Sequence, residues 1–205
     1  MAQIWSLLIG YLFGNFLFAM IVGHFVLHVD PTRYGSGNPG TANMGAVFGK
    51  KWGIITCAGD LLKTAVALII VHFLFPGKVF IAYTGLGLIL GHCFPILNHF
   101  AGGKGVAVSI LVALVYDWKA WLVTILIALF LTIVMQNLTI PPLVFMILFS
   151  AYETTQSLTA GIIFWLITLV MAFKFRHDIV DFFAGRGKKV DILYSIKKKL
   201  GIKNS

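Results

Sequence analysis

Long apolar runs constrain the fold of this chain more than any other feature of its sequence. Five of them approach or exceed the roughly 20 residues that an α-helix needs to cross a hydrocarbon core of about 30 Å. Hydrophobic residues make up 59% of the 205 residues and charged residues 11%, whereas soluble domains average about 45–50% and about 25%. A soluble fold of this length could not shield so much apolar surface from water. The sequence therefore predicts an all-α integral membrane protein.

Two further apolar segments, 106–118 and 140–151, are short for straight crossings. We predict a single polytopic domain over 1–205 with seven transmembrane helices; the alternative is five crossings, with the two short segments re-entrant. A basic tail is expected over 174–205. The predicted spans are 4–27, 53–75, 79–100, 106–118, 120–136, 140–151 and 157–173.

The distribution of lysine and arginine predicts the orientation. None precedes the first span, whereas Arg33, Lys50 and Lys51 follow it, and nine of the sixteen basic residues lie in 174–205. Because cytoplasmic loops are enriched in these residues, we expect the N-terminus outside and the C-terminus in the cytoplasm. The tail carries most of the net charge of +9 and is expected to contact anionic membrane lipids. Nothing else in the sequence indicates binding to nucleic acid.

The loop after the first span reads "GSGNPGTAN". Its glycines have the G-x-G-x-x-G spacing of a dinucleotide-binding loop, but they follow a membrane span and include Pro39, so no βαβ unit can surround them. Ser36, Asn38 and Asn43 supply hydrogen-bond donors, and glycines allow backbone N–H groups to converge on an anion. The same residue types are typical of ordinary turns. The loop by itself leaves a turn and an anion site equally open.

A second glycine-rich loop, "GGKG", precedes the predicted helix at 106–118. Lys104 lies between its glycines, so backbone donors, a helix N-terminus and a cation can meet one phosphate. A Walker A loop is excluded, because Gly105 stands where a serine or threonine would bind magnesium. This stretch predicts a phosphate site without a metal.

Two charged residues, Asp60 and Lys63, lie within the second span at i,i+3 spacing, so they can pair on one helical face. Burying each charge costs about 2.5–3.5 kcal/mol on insertion scales, which makes intramembrane ionisable groups functional candidates. A structural ion pair that locks two helices is the alternative. Close helix packing is expected where the G-x-x-x-G spacing occurs, at 10–14 and 87–91.

The stretches "GSGNPGTAN", "GKKWGIITCAGDLLK", "GHCFPILNHFAGGKGVA" and "RHD", in this order, resemble the bacterial acyl-phosphate-dependent glycerol-3-phosphate acyltransferases, the PlsY family. The resemblance implies a seven-helix membrane fold with a cytoplasmic-facing site and neither a metal nor a nucleotide cofactor. It also implies transfer of a fatty acyl group from acyl phosphate to the 1-hydroxyl of glycerol-3-phosphate, giving lysophosphatidic acid. A functional link to the enzyme that supplies acyl phosphate would follow.

The two loops and this resemblance give three candidate catalytic residues, Ser36, Lys104 and His177. The candidate substrate-binding residues are Gly37, Asn38, Gly40, Asn43, His92, Gly102, Gly103 and Gly105. Lys104 and the glycine N–H groups would hold phosphate, the first loop would orient the acceptor, and His177 or the departing phosphate would accept the hydroxyl proton.

The chain departs from the family pattern at two places. Family members carry an arginine three residues after the asparagine matched by Asn43, where this chain has Ala46. They also carry an Asn-Ile pair after the third-motif histidine, whereas this chain reads "HDIVDFFAGRGKK", without that asparagine. A diverged paralogue with another acceptor, or a transporter or binding protein for a phosphorylated metabolite, are the alternative functions.

Overall fold

The computed structural model describes residues 1–187, which form helices joined by short loops, with no β-strand among them. The all-α prediction is confirmed. Residues 188–205 of the predicted basic tail lie outside the described residues. The helices are α1 (Ala2–Gly14), α2 (Phe18–Val22), α3 (Thr41–Val47), α4 (Lys50–Leu74), α5 (Lys78–Cys93), α6 (Val106–Tyr116), α7 (Trp118–Met135), α8 (Ile140–Gln156) and α9 (Leu158–Phe183).

Five helical segments are long and apolar enough to cross a membrane, and they match the five long runs of the sequence. The two short predicted spans form α6 and α8, of 11 and 17 residues. At 1.5 Å per residue these helices measure about 17 and about 26 Å, less than a hydrocarbon core of about 30 Å. The five candidate spans are Ala2–Leu27, Lys50–Leu74, Lys78–Asn98, Trp118–Met135 and Leu158–Phe183. The count of seven crossings stays a prediction.

The first span is broken in its middle, whereas the sequence predicted one helix over 4–27. α1 ends at Gly14, Leu17 is extended with φ −83° and ψ 108°, and a turn of π-helix, Gly23–Leu27, follows α2. A break at membrane depth frees backbone groups that must find partners inside the protein. Asn15, at the break, binds two backbone groups. Its Nδ2 donates to the carbonyl of Tyr11, in the last turn of α1, at 2.6 Å, and its Oδ1 accepts from the N–H of Ile96, just beyond α5, at 2.7 Å.

α1 and α5 pack backbone to backbone through glycine, as the G-x-x-x-G spacing predicted. A Cβ atom on Gly87 would overlap the carbonyl of Leu7, and one on Gly14 would overlap the carbonyl of Leu88. Residue numbers rise together along this contact, so the two helices run in the same direction. The break after α1 and the chain that leaves α5 therefore lie at the same level of the bundle.

The last helix extends beyond its predicted end at 173. α9 continues to Phe183, because the apolar side chains interleaved with the charges still face the protein: Phe175 is only 3% exposed. The start of the predicted tail is thus helical. His177 and the charged residues beside it are consequently displayed on a rigid element rather than on a free segment.

Substituting Gly87 by alanine is expected to destabilise the fold by about 1–3 kcal/mol, the usual cost of overpacking, because the new methyl group meets backbone that cannot repack. Thermal unfolding in detergent measures this as a lower Tm. Gly45→Ala is the matched control, since its Cβ would meet nothing closer than the Cα of Gly53 at 3.7 Å. Equal Tm values for the two variants would contradict the packing described for α1 and α5.

Candidate functional site

Asn43, the buried polar residue of α3, closes the first glycine-rich loop into a ring. Its Oδ1 accepts from the N–H of Ser36 at 2.8 Å and from the hydroxyl of Ser36 at 3.1 Å. Its Nδ2 donates to the carbonyls of Pro31 and Tyr34 at 3.2 and 3.0 Å. A side-chain amide has two donors and two acceptor lone pairs, so all are in use. Asn43 therefore shapes the loop instead of presenting a free amide to a ligand, which differs from its predicted direct contact.

The chain turns at Asp30 before the first loop, and the Asp30 carboxylate stabilises this turn, the corner of the loop. This carboxylate accepts from the hydroxyl and the N–H of Thr32 at 2.6 and 3.0 Å and lies 3.4 Å from Nε of Arg33. The hydrogen bonds from Thr32, together with the charge of Arg33, hold the pKa of Asp30 below its ordinary value. The corner is therefore ionised at neutral pH and keeps its hydrogen bonds.

The exposed edge of the first loop offers few free donors. Gly35 and Gly37 have φ of 62° and 69°, the left-handed conformation that glycine adopts without strain. The N–H groups of Gly37 and Gly40 already donate to the carbonyls of Tyr34 and Asn38, at 3.0 and 2.9 Å. These two glycines therefore build the turn, and their N–H groups are not available as the predicted anion donors.

Two polar side chains of this loop keep unused hydrogen-bonding capacity. Ser36 is exposed, and its hydroxyl oxygen keeps acceptor capacity beyond its bond to Asn43. The side-chain amide of Asn38 makes no hydrogen bond to any of residues 1–187. The first loop is thus a turn whose rim carries two polar groups, Ser36 and Asn38.

The second loop, Gly102–Gly105, directly precedes α6 and packs against the end of α5. The N–H of Gly103 donates to the carbonyl of His92 at 3.0 Å, and a Cβ on Gly103 would overlap the imidazole of that histidine. Gly105, with φ 80°, begins α6 without any side-chain cap. The first N–H groups of an α-helix have no partner within the helix, so this end of α6 can receive an anion.

Lys104 joins this second loop to the third motif on α9. Its Nζ donates to Oδ1 of Asp178 at 2.6 Å and lies 4.8 Å from the centre of the Phe175 ring. The side chain of Lys104 is 22% exposed. An ammonium has three N–H donors, so two remain for a phosphate after the bond to Asp178. His177, next to Asp178, is exposed and makes no hydrogen bond within the described part of the chain.

Asp178 and Lys174 were not among the predicted site residues. Lys174 donates to the carbonyl of Cys93 at 3.0 Å and lies over the ring of Phe94. Their i,i+4 spacing puts both on one face of α9, where Lys174 meets the end of α5 and Asp178 meets the second loop, and this spacing was the available signal in the sequence.

His92 lies behind the second loop, not in front of it. The imidazole is 4% exposed, and its Nδ1 is 3.0 Å from Nζ of Lys63. Lys63 in turn forms the predicted ion pair with Asp60, at 2.9 Å, and both side chains are 3% exposed. The pair is confirmed. Burial leaves only the Nε2 edge of His92, which faces Gly103, for the predicted contact with substrate.

Among residues 1–187, no hydrogen bond or ion pair joins the first loop directly to Lys104 or His177. The second and third motifs are brought together, whereas the first continues into α3, which packs against α4. No group of three histidine, cysteine, aspartate or glutamate side chains suited to a metal occurs in the described residues.

Replacing Asn43 by alanine is expected to loosen the first loop, because four hydrogen bonds within it are lost. Each buried group left unpaired destabilises the closed loop relative to its open form by about 1–3 kcal/mol. Amide exchange over residues 31–43 therefore accelerates about five- to hundredfold. Hydrogen–deuterium exchange with mass spectrometry measures this rate. Asn38→Ala, whose amide has no such partners, is the control and keeps the slow rate; identical exchange in both variants would contradict the role of Asn43.

Comparison with known proteins agrees with this architecture. The chain matches the family described as glycerol-3-phosphate acyltransferase over residues 4–185. It is 71% identical over 204 residues to glycerol-3-phosphate acyltransferase 1 of Lactobacillus acidophilus, covering 100% of both chains. It is 60% identical over 199 residues to the protein of that name from Lactobacillus johnsonii, covering 96% of this chain and 97% of the relative.

The fold is also similar to solved structures. The glycerol 3-phosphate form of PlsY (YgiH), an integral membrane glycerol 3-phosphate acyltransferase, superposes with a TM-score of 0.84 at 24% identity, covering 96% of this chain and 99% of that one. Its lysophosphatidic acid form gives a TM-score of 0.79 at 23% identity. The resemblance noted in the four sequence stretches is confirmed, and with it a multi-pass membrane fold. This chain belongs to the glycerol-3-phosphate acyltransferase family.

Proposed function

We propose that this protein transfers a fatty acyl group from acyl phosphate to the 1-hydroxyl of glycerol-3-phosphate. An ester bond forms between the hydroxyl oxygen and the acyl carbon, the bond from that carbon to the phosphate oxygen breaks, and the products are lysophosphatidic acid and inorganic phosphate. The observation that carries the proposal is the Lys104 ammonium at the glycine-flanked start of α6, in a chain that matches the acyltransferase family over residues 4–185.

The second loop is the proposed site for the phosphate that leaves. Lys104 keeps two N–H donors beyond its bond to Asp178, and the first N–H groups of α6, which follow it directly in the chain, have no side-chain cap. Negative charge grows on the phosphate as the bond to the acyl carbon breaks, and donors already in position stabilise it without reorganisation. Gly102, Gly103 and Gly105 let the backbone approach the phosphate closely.

The first loop is the proposed site for the acceptor. Ser36 and Asn38 are its free polar groups, and Asn43 with Gly37 and Gly40 keeps them in place. Binding both substrates converts a two-body encounter into a step within one complex, which is a large part of catalysis for an already activated acyl donor. The exposed ring of His177, or the departing phosphate, accepts the proton of the attacking hydroxyl.

An apolar groove offers a place for the acyl chain. It has a volume of about 250 Å³ and lies where the broken first span meets α4. Lys63 is its single charged lining residue. A fatty chain in this groove would extend from the lipid towards the buried polar residues around Lys63. The groove is lined by Phe13, Phe16, Phe18, Ile21, Leu62, Lys63 and Val66.

The purified protein is expected to form lysophosphatidic acid and release phosphate when given acyl phosphate and glycerol-3-phosphate. Lys104→Ala should lower kcat at least about 100-fold, the usual effect of removing one preorganised donor to a developing anion. Mass spectrometry of the lipid product and a phosphate assay measure the two products together. Lys51→Ala, an exposed lysine at the start of α4, is the control.

Two outcomes would replace this proposal. Phosphate release that does not depend on glycerol-3-phosphate would indicate another acceptor. The departure at Ala46, where members of the resembled family carry arginine, would agree with that outcome. Flux of a phosphorylated metabolite into proteoliposomes without acyl turnover would indicate a transporter.

We also propose seven crossings in the bacterial cytoplasmic membrane, with the N-terminus outside and both glycine-rich loops facing the cytoplasm. The basic residues after the first span and in the tail support this orientation. The parallel course of α1 and α5 supports the placement of both loops on one side of the membrane, because the chain leaves both helices at the same end of the bundle. Acyl phosphate would then arrive from the cytoplasmic enzyme that makes it.

Cysteine labelling separates seven crossings from five. In variants without Cys57 and Cys93, a membrane-impermeant maleimide is expected to label Pro76→Cys from outside intact cells, and Ala42→Cys only after permeabilisation. All three positions 42, 76 and 119 are exposed. Lys119→Cys, at the junction of α6 and α7, is labelled from outside if α6 crosses the membrane. Protection of Lys119→Cys in intact cells would favour the re-entrant alternative.

A further inference from the structure

One buried ammonium, that of Lys63, contacts both the break in the first span and the histidine behind the second glycine-rich loop. Nζ of Lys63 donates to the carbonyls of Gly14 and Phe16, at 3.2 and 2.7 Å, on either side of the break in the first span. It also contacts Nδ1 of His92 at 3.0 Å. Oδ1 of Asp60 lies 2.9 Å from the same ammonium and balances its charge, so four acceptors surround its three N–H donors.

This geometry decides the protonation of His92. A charged ammonium can only donate, so Nδ1 of the imidazole is the acceptor, the ring is neutral and its proton is on Nε2. Nε2 faces Gly103, where a Cβ would overlap it, and it has no hydrogen-bond partner among residues 1–187. The second loop therefore packs against the Nε2–H group of His92 and not against a ring nitrogen lone pair. A donor at this position is favourable for a loop that binds an anion.

We infer that Lys63 is a positioning residue for the reaction: it fixes His92 in the Nε2–H tautomer behind the second loop and anchors the start of α2, which leads to the first loop. This inference rests on the proposed function and adds a buried contact that sets both loops at once. The carboxylate of Asp60, 2.9 Å from Nζ, favours the charged form of Lys63, which can only donate hydrogen bonds.

A purely structural ion pair is the competing hypothesis, and the two hypotheses differ in a spectroscopic signature. Nitrogen-15 NMR of the full-length protein labelled at histidine, with the His92 signal assigned by its loss in His92→Gln, reports the tautomer. The wild type is expected to show Nε2–H. In Lys63→Met the carboxylate of Asp60, 3.7 Å from Nδ1, becomes the nearest acceptor, and the proton moves to Nδ1. An Nδ1–H tautomer in the wild type would overturn the inference.

Kinetics provide the second readout. Lys63→Met is expected to lower kcat about 100-fold, as a displacement of about 1 Å in a catalytic group can do. Asp60→Asn combined with Lys63→Met removes both buried charges, so its Tm should exceed that of Lys63→Met, while kcat remains low. Lys51→Met, exposed on the same helix, leaves both quantities unchanged.

Recovery of kcat together with Tm in the double variant would show that only charge balance matters, and it would overturn the inference. The same result would leave the proposed function intact, because the wild type would still form lysophosphatidic acid. A wild type without acyl transfer defeats the proposed function instead, and the NMR measurement still tests the Lys63–His92 contact.

Discussion

The contact between the Lys63 ammonium and the carbonyls of Gly14 and Phe16 is the interaction on which the rest of the structure depends. Inside a bilayer an interrupted helix leaves carbonyl groups that water cannot reach. A buried lysine satisfies two of them and brings its own counter-ion, Asp60, from one turn earlier on α4. Without this donor the first span would have to be continuous, and the chain could not reach the first loop along its present path.

The three polar motifs of the sequence play different parts in the folded chain. The first is a self-contained ring around Asn43, whereas the second and third meet through Lys104 and Asp178. The third motif, which lacks the asparagine of the resembled family, thus contributes a carboxylate that holds the lysine of the second loop. Position 46, which is exposed on α3, carries alanine, so it supplies no cation beside the first loop. The cation of the site is supplied from the side of α6 and α9.

The helices were predictable because a run of about 20 apolar residues is long enough to span a bilayer and is rare in soluble domains. The break at Gly14 was not, since Asn15 is flanked by apolar residues on both sides and its partner, Ile96, is distant in sequence. The pairing of Asp60 with Lys63 followed from their spacing, but the contact with His92 required the parallel packing of α1 and α5. Likewise, the polar residues of the first loop were recognisable as a set, whereas which of them face outwards depended on the ring around Asn43.

That ring has a thermodynamic consequence. Residues 31–43 take their shape from hydrogen bonds made entirely within the loop, including both donors and both acceptors of the Asn43 amide. The conformational entropy of the loop is therefore lost during folding and not during the encounter with a ligand. A small polar molecule meeting Ser36 and Asn38 finds the backbone that carries them already ordered, so a larger share of its contact energy is expressed as affinity.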